Sequence, residues 1–128
     1  MKAILDTSVL IENPDVPGVS QAAISTISLA ELYFGTLTTT DADERLRRVA
    51  QLGFIESHFQ AIPLDEEIGR TLGQLQAAVS QRGANPRKRT ADLAIAATAI
   101  AREAVLFTQN HKDFKLIDDL VDVREPPA

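Results

Sequence analysis

The chain has no cysteine and no tryptophan, and only two histidines. Without cysteine there can be no disulfide, no thiolate metal site and no thiol nucleophile. His58 and His111 are the minimum from which metal-free catalysis by a histidine pair could draw an acid and a base. With no cysteine beside them, a zinc centre is not expected. Long apolar runs are also missing. Nothing approaches the roughly 20 residues of a bilayer span. Asp6 interrupts the first apolar stretch, Lys2-Ala3-Ile4-Leu5, so the N-terminus does not read as a secretory signal. The expectation is a soluble, cytoplasmic protein with no membrane association. Excess positive charge is absent too: 13 Lys and Arg stand against 18 Asp and Glu, a net charge of −5. Nucleic acid is usually met by a basic surface. That objection weakens where the acids cluster, because a bound cation cancels several of them.

What remains is sufficient for one ordinary domain, residues 1–128. Of these residues 45% are hydrophobic and 24% charged, so a real core can form. Residues 2–6 read as a short buried strand, followed by a helix over Val9 to Glu12 with Thr7 and Ser8 as caps. A second strand is expected over Ala23 to Thr26. Ser28-Leu29-Ala30-Glu31 has capping-box spacing and opens a helix to about Leu37. Helices over 41–58 and 65–82 flank a short extended piece, Ala61-Ile62-Pro63-Leu64, and should project together as a helical hairpin. Asn85 to Arg89 reads as a basic loop. Thr90 should cap an alanine-rich helix from Ala91 to about Glu103. Val105 to Thr108 is a strand, Val121 to Arg124 a last one, and Pro126-Pro127-Ala128 a tail. Strands alternating with helices predict an α/β fold with a mainly parallel sheet flanked by helices.

An acid lies at the end of each of four elements: Asp6, Glu31, Asp92 and Asp113. In a parallel sheet the carboxyl ends of the strands share one edge, where ligands bind. Each acid also has a simpler explanation. Asp6 could cap a helix, Glu31 could complete its capping box, Asp92 could face a helix dipole, and Asp113 could form an Asx turn. As a cluster they need more. Two carboxylates about 5 Å apart repel by roughly 3 kcal/mol at an effective dielectric of 20. A cluster persists if protonated, separated by water or neutralised by a cation. Magnesium suits it, taking a few carboxylates and several waters. The matching chemistry is attack of an activated water on a phosphodiester.

Thr7, Ser8, Thr108 and Asn110 lie near these acids and could orient carboxylates, waters or phosphate. Ordinary turn chemistry explains them equally well. Arg87, Lys88, Arg89 and Lys112, with Arg82, form a candidate phosphate-contacting patch or a merely solvated loop. Tyr33, Phe34, Phe54 and Phe59 read first as core.

The four acids sit in recognisable strings. Ile4-Leu5-Asp6-Thr7-Ser8-Val9-Leu10-Ile11 resembles the opening of a PIN-domain nuclease. Ile27 to Gly35, Ala91 to Ala99 and Phe107 to Phe114 resemble that family's further motifs, in order, across nearly the whole chain. Length and the paired helices look most like a VapC-type toxin of a toxin–antitoxin pair. The resemblance implies a PIN-like fold and a Mg²⁺- or Mn²⁺-dependent endoribonuclease. It also implies a homodimer checked by a partner antitoxin. Asp6 and Asp92 would be the principal metal ligands, with Glu31 and Asp113 completing the pocket. Several relatives carry Arg where Gln109 stands, which removes one phosphate contact. The antitoxin would dock in a groove involving the aromatic residues. Two other functions compete. A PIN-like binding or scaffold module would have no reason to tolerate four clustered acids. Aspartate-nucleophile phosphatase chemistry would want a second Asp where Ser8 stands.

Overall fold

A computed structural model of the chain describes residues 1–127; Ala128, the end of the expected tail, lies outside them. The strands are β1 (Lys2–Leu5), β2 (Gln21–Ser25), β3 (Gln60–Ile62), β4 (Val105–Phe107) and β5 (Val123–Arg124). They form one sheet in the order β3-β2-β1-β4-β5, with every pairing parallel. The helices are α1 (Thr7–Glu12), α2 (Thr26–Thr38), α3 (Ala42–His58), α4 (Glu66–Gln81) and α5 (Thr90–Ala101). Two 3-10 turns, Pro86–Arg89 and His111–Ile117, complete the chain, so the expected basic loop is a compact turn.

Alternation along β1 builds two cores. Ala3 and Leu5 enter one, with Ile24, Val9, Leu10, Leu32, Leu52 and Ile55. Ile4 enters the other, with Leu106, Ile68, Leu75, Val79 and α5. Burial of each such side chain is worth about 1.5–3 kcal/mol. In α5 every residue from Leu93 to Ala99 is buried. Its alanines let it lie close to the sheet, α4 and α2.

The sheet order explains one departure from expectation. From β1 through β2 to β3 the chain steps outward in one direction; from β3 to β4 it must return past β1. Parallel crossovers keep a right-handed sense, so the return connection runs over the opposite face. Hence α3 packs on α2 in one layer, while α4 packs on α5 in the other. The hairpin expected from 41–58 and 65–82 does not form. The helices that pair as neighbours are α2 and α3, held by Arg45 Nη2 to the Thr39 carbonyl at 2.6 Å and Arg48 Nη1 to the Gly35 carbonyl at 2.7 Å.

Capping went two ways. Asp41 and Asp65 cap α3 and α4, accepting from the Glu44 and Ile68 amides at 3.0 and 2.9 Å. Gly83, at φ +88°, lies just beyond α4. The caps expected at Thr7 or Ser8, at Ser28 and at Thr90 are displaced; Asp6 holds the N-cap position of α1. α2 begins earlier, capped by Ser25, whose Oγ accepts from the Ile27 amide at 3.1 Å. Ser28 is wholly buried inside the helix. Arg89, not Thr90, is the N-cap of α5, and the Thr90 hydroxyl donates to the Arg87 carbonyl.

Candidate active site

The strand order reverses between β1 and β4, and ligands bind open α/β sheets outside the carboxyl ends at such a point. Asp6 follows β1 there, with its amide donating to the Phe107 carbonyl at 2.9 Å. It occupies the N-cap position of α1, yet its side chain makes no capping bond. Instead Oδ2 accepts from Ser8 Oγ at 2.9 Å and from Thr108 Oγ1 at 2.8 Å. Capping therefore does not explain this carboxylate, which is only 6% exposed.

The two hydroxyls are themselves fixed. Ser8 Oγ accepts from the Gln109 amide and Thr108 Oγ1 from the Asn110 amide, each at 3.0 Å. The hydroxyls thus make turn contacts and orient Asp6 at the same time. Asn110 enters through its backbone, not through its side chain.

Glu31 belongs to the second turn of α2 because the helix starts at Thr26, so the capping-box explanation fails for it as well. Its Oε1 accepts from Thr7 Oγ1 at 2.6 Å, and Thr7 also reaches buried Ser28 at 3.1 Å. Thr7, in the first turn of α1, thereby ties the ends of β1 and β2 together.

Asp92 lies in the first turn of α5, half-buried. Its carboxyl is pushed up to about 6, first by burial and then by the charges of Asp6, Asp113 and Glu31 in that order; Arg89 acts the other way. The charges of the other three acids therefore all reach Asp92. Asp113 is exposed, in the turn His111–Ile117, and its carbonyl accepts from Arg89 Nη1 at 3.2 Å. Arg89 thus anchors the segment that carries the fourth acid to the start of α5.

This donor set fits a hard cation: oxygen only, anionic, and with Asp6 already oriented. Among the described residues no three acidic or histidine side chains form a group that could hold a metal ion directly. The arrangement suits an ion held by one or two carboxylates with water completing its shell, which is magnesium's habit. It does not suit a calcium-like cage of protein oxygens.

The remaining candidates separate by place. Arg87 and Lys88 are exposed on the turn preceding α5, and Lys112 is exposed beside Asp113. Arg82 does not join them, because it is held bidentately by Asp119 at 2.7 and 3.0 Å. His58 stacks on Phe54, with ring centroids 4.0 Å apart, and lines a cavity with Lys2, Gln21 and Gln60 at the opposite sheet edge. Phe59 is core, whereas Tyr33 and Phe34 are exposed on α2. Arg47, Arg48 and Gln51 of α3 line a crevice with Thr7 and Glu31. No sequence pattern marks them, since arginines on a helix look like a solvated face.

The PIN domain family model matches residues 3–120. Ribonuclease VapC5 of Mycobacterium tuberculosis is 31% identical over 94% of this chain and 90% of its own length. Ribonuclease VapC1 of Rickettsia felis is 32% identical over 94% of this chain and 93% of its own. Among solved structures, VapBC-5 of M. tuberculosis, a member of the VapBC family of toxin–antitoxin systems, matches with a TM-score of 0.83 and 28% identity, covering 99% of this chain and 98% of that one. VapBC2 of R. felis, bound to a DNA fragment from its promoter, matches at 0.77 and 26%, covering 99% and 100%.

Proposed function

The chain belongs to the PIN-domain family, alongside the VapC ribonucleases, and on that footing we propose that its four-acid basin hydrolyses RNA with a bound Mg²⁺ or Mn²⁺ ion. It is an endoribonuclease and the toxin member of a toxin–antitoxin pair, acting as a single PIN domain over residues 1–128. What supports the reading is that the charges of Asp6, Asp113 and Glu31, carried by three other elements, all act on Asp92.

Asp6 and Asp92 would hold the ion, which supplies neutralising charge and Lewis acidity toward phosphate and the attacking water. Ser8 and Thr108 keep the Asp6 carboxylate in one orientation. Thr7 does the same for Glu31, which positions the attacking water. Asp113 completes the anionic rim. Arg87, Lys88, Arg89 and Lys112 would hold the RNA backbone along one flank, a contact that positions without reading sequence.

The protein partner is an antitoxin. Its landing surface is the apolar side of α2 and α3. Phe34 and Leu37 are 70% and 72% exposed, and Leu46 is 70% exposed. Exposed apolar surface on this scale marks an interaction site. The toxin works as a homodimer in the cytoplasm; among the described residues no helix is long and apolar enough to cross a membrane.

The test is direct. Chain freed of antitoxin should cleave structured RNA with Mg²⁺ or Mn²⁺ and stop with EDTA, and Asp6→Asn should abolish cleavage while keeping the fold. Equal cleavage by both proteins would mean a contaminating nuclease and would refute the reading.

A further inference from the structure

A crevice of about 130 Å³ opens beside Glu31, between α1, α2 and α3. Thr7 and Glu31 wall its catalytic side. Arg47, Arg48 and Gln51 wall the far side, above apolar Leu32 and Leu52. Its cationic wall is held in place. The Glu44 carboxylate accepts from Arg47 Nε and Nη2 at 3.0 and 2.5 Å and from Arg48 Nε at 2.8 Å. Two guanidinium groups share one carboxylate, which leaves the Arg47, Arg48 and Glu44 cluster with one unit of positive charge, set across the crevice from the negative charge of Glu31. Arg48 also donates to the Gly35 carbonyl, and a Cβ on Gly35 would stand 3.1 Å from that same nitrogen. A glycine at 35 lets the guanidinium lie against α2. Arg47 remains 63% exposed, and its Nη1 has no partner among the described residues.

We propose that this crevice is a nucleotide subsite for the RNA residue next to the scissile bond, on the side of the basin opposite Arg87 to Arg89. The proposal rests on the ribonuclease reading. An RNA strand that leaves the basin past Glu31 and Thr7 enters this crevice, where Arg47 and Arg48 are the cationic groups that line it. Guanidinium groups are matched to phosphate oxygens. The exposed Arg47 guanidinium plane offers a splayed base a stacking surface, and Gln51, whose Nε2 also donates to the Ile11 carbonyl at 3.3 Å, keeps its amide oxygen for an edge hydrogen bond. Arg47 is then a binding residue and Gln51 a specificity residue.

Binding of a labelled single-stranded RNA of randomised sequence is measured in a non-cleaving Asp6→Asn background across a salt series. Arg47→Ala should weaken binding about five- to tenfold at low salt and lower the salt slope by about 0.7. Gln51→Ala should leave that slope unchanged; on the active chain it should broaden the nucleotide preference beside the cut. Arg70→Ala is the control, an exposed arginine on α4 in the other layer. Thermal melts confirm that each variant folds. If Arg47→Ala behaves like Arg70→Ala, the subsite is refuted. If Arg47→Ala spares RNA and weakens antitoxin binding, the crevice belongs to the protein partner and the proposal is overturned. Should the wild type cleave nothing while the binding differences hold, the hydrolytic reading fails and the subsite stands.

Discussion

Thr108 donates a 2.8 Å hydrogen bond to Asp6 across 102 positions of sequence. The bond joins the ends of β1 and β4 where the sheet changes direction, and both groups are buried. Thr108→Val keeps the shape and removes the donor. Loss of one buried hydrogen bond to a charged group costs about 1.5–3 kcal/mol. Outer partners of metal ligands typically contribute 10- to 100-fold in affinity or activity. Thr108→Val should therefore lower cleavage by that range and weaken Mn²⁺ binding, read by rate assay and calorimetry. Activity within twofold of wild type would remove Thr108 from the site.

Asp92 is held up at about 6 by burial and by three neighbouring carboxylates. A carboxyl with a raised folded-state value favours the folded protein where it is protonated. From its unfolded value near 4 up to about 6 the folded state keeps a proton that the unfolded state gives up, so stability falls as pH rises through that window. Metal-free protein should thus gain less from neutral pH than an ordinary acidic domain does. Asp92→Asn removes the penalty. After allowance for the screening of a half-exposed group, the gain at pH 7 is about 1 kcal/mol, or about 3–5 °C in Tm. Divalent metal should raise the wild-type Tm and leave that of Asp92→Asn almost unmoved. A variant less stable than wild type without metal would mean that Asp92 serves α5 by its dipole contact.

Glu103 follows α5 with φ at +53°, in the left-handed region, and is exposed. Its amide donates to the Ile100 carbonyl, and the Ala104 amide donates to that of Ala99, which closes the helix end. A residue with a Cβ is strained there and glycine is not. Glu103→Gly should stabilise the chain by about 0.5–1 kcal/mol in thermal or urea melts, with cleavage unchanged. A destabilised variant would show that the Glu103 side chain makes a contribution larger than the backbone strain.

Asp6 was legible because it follows the end of β1, and the direction of parallel strands brings strand ends to one edge; Glu31 lies in the second turn of α2, deeper than its spacing suggests. Asp6 and Asp92 could be placed from the apolar runs beside them. Other features were not legible. The α2 start depends on Ser25 rather than Ser28, and both are serines before an apolar run; only the depth at which Ser28 is buried distinguishes them. The hairpin expectation failed because local helix patterns carry no record of which sheet face a crossover takes. The Ser8 and Thr108 bonds join residues remote in sequence, so no spacing rule reveals them. The Arg47 and Arg48 wall is set by Glu44 one turn earlier and by Gly35 on another helix.

The proposed cation site of Asp6 and Asp92 at the end of β1 is open to a direct binding measurement. Titration of Mn²⁺ into the antitoxin-free chain, followed by electron paramagnetic resonance of the free ion, measures it without dependence on any substrate. Saturable uptake is expected of the wild type, and its loss in both Asp6→Asn and Asp92→Asn, with all three proteins folded by their melts. Uptake that is equal in the three, or absent from the wild type, would contradict the proposed site.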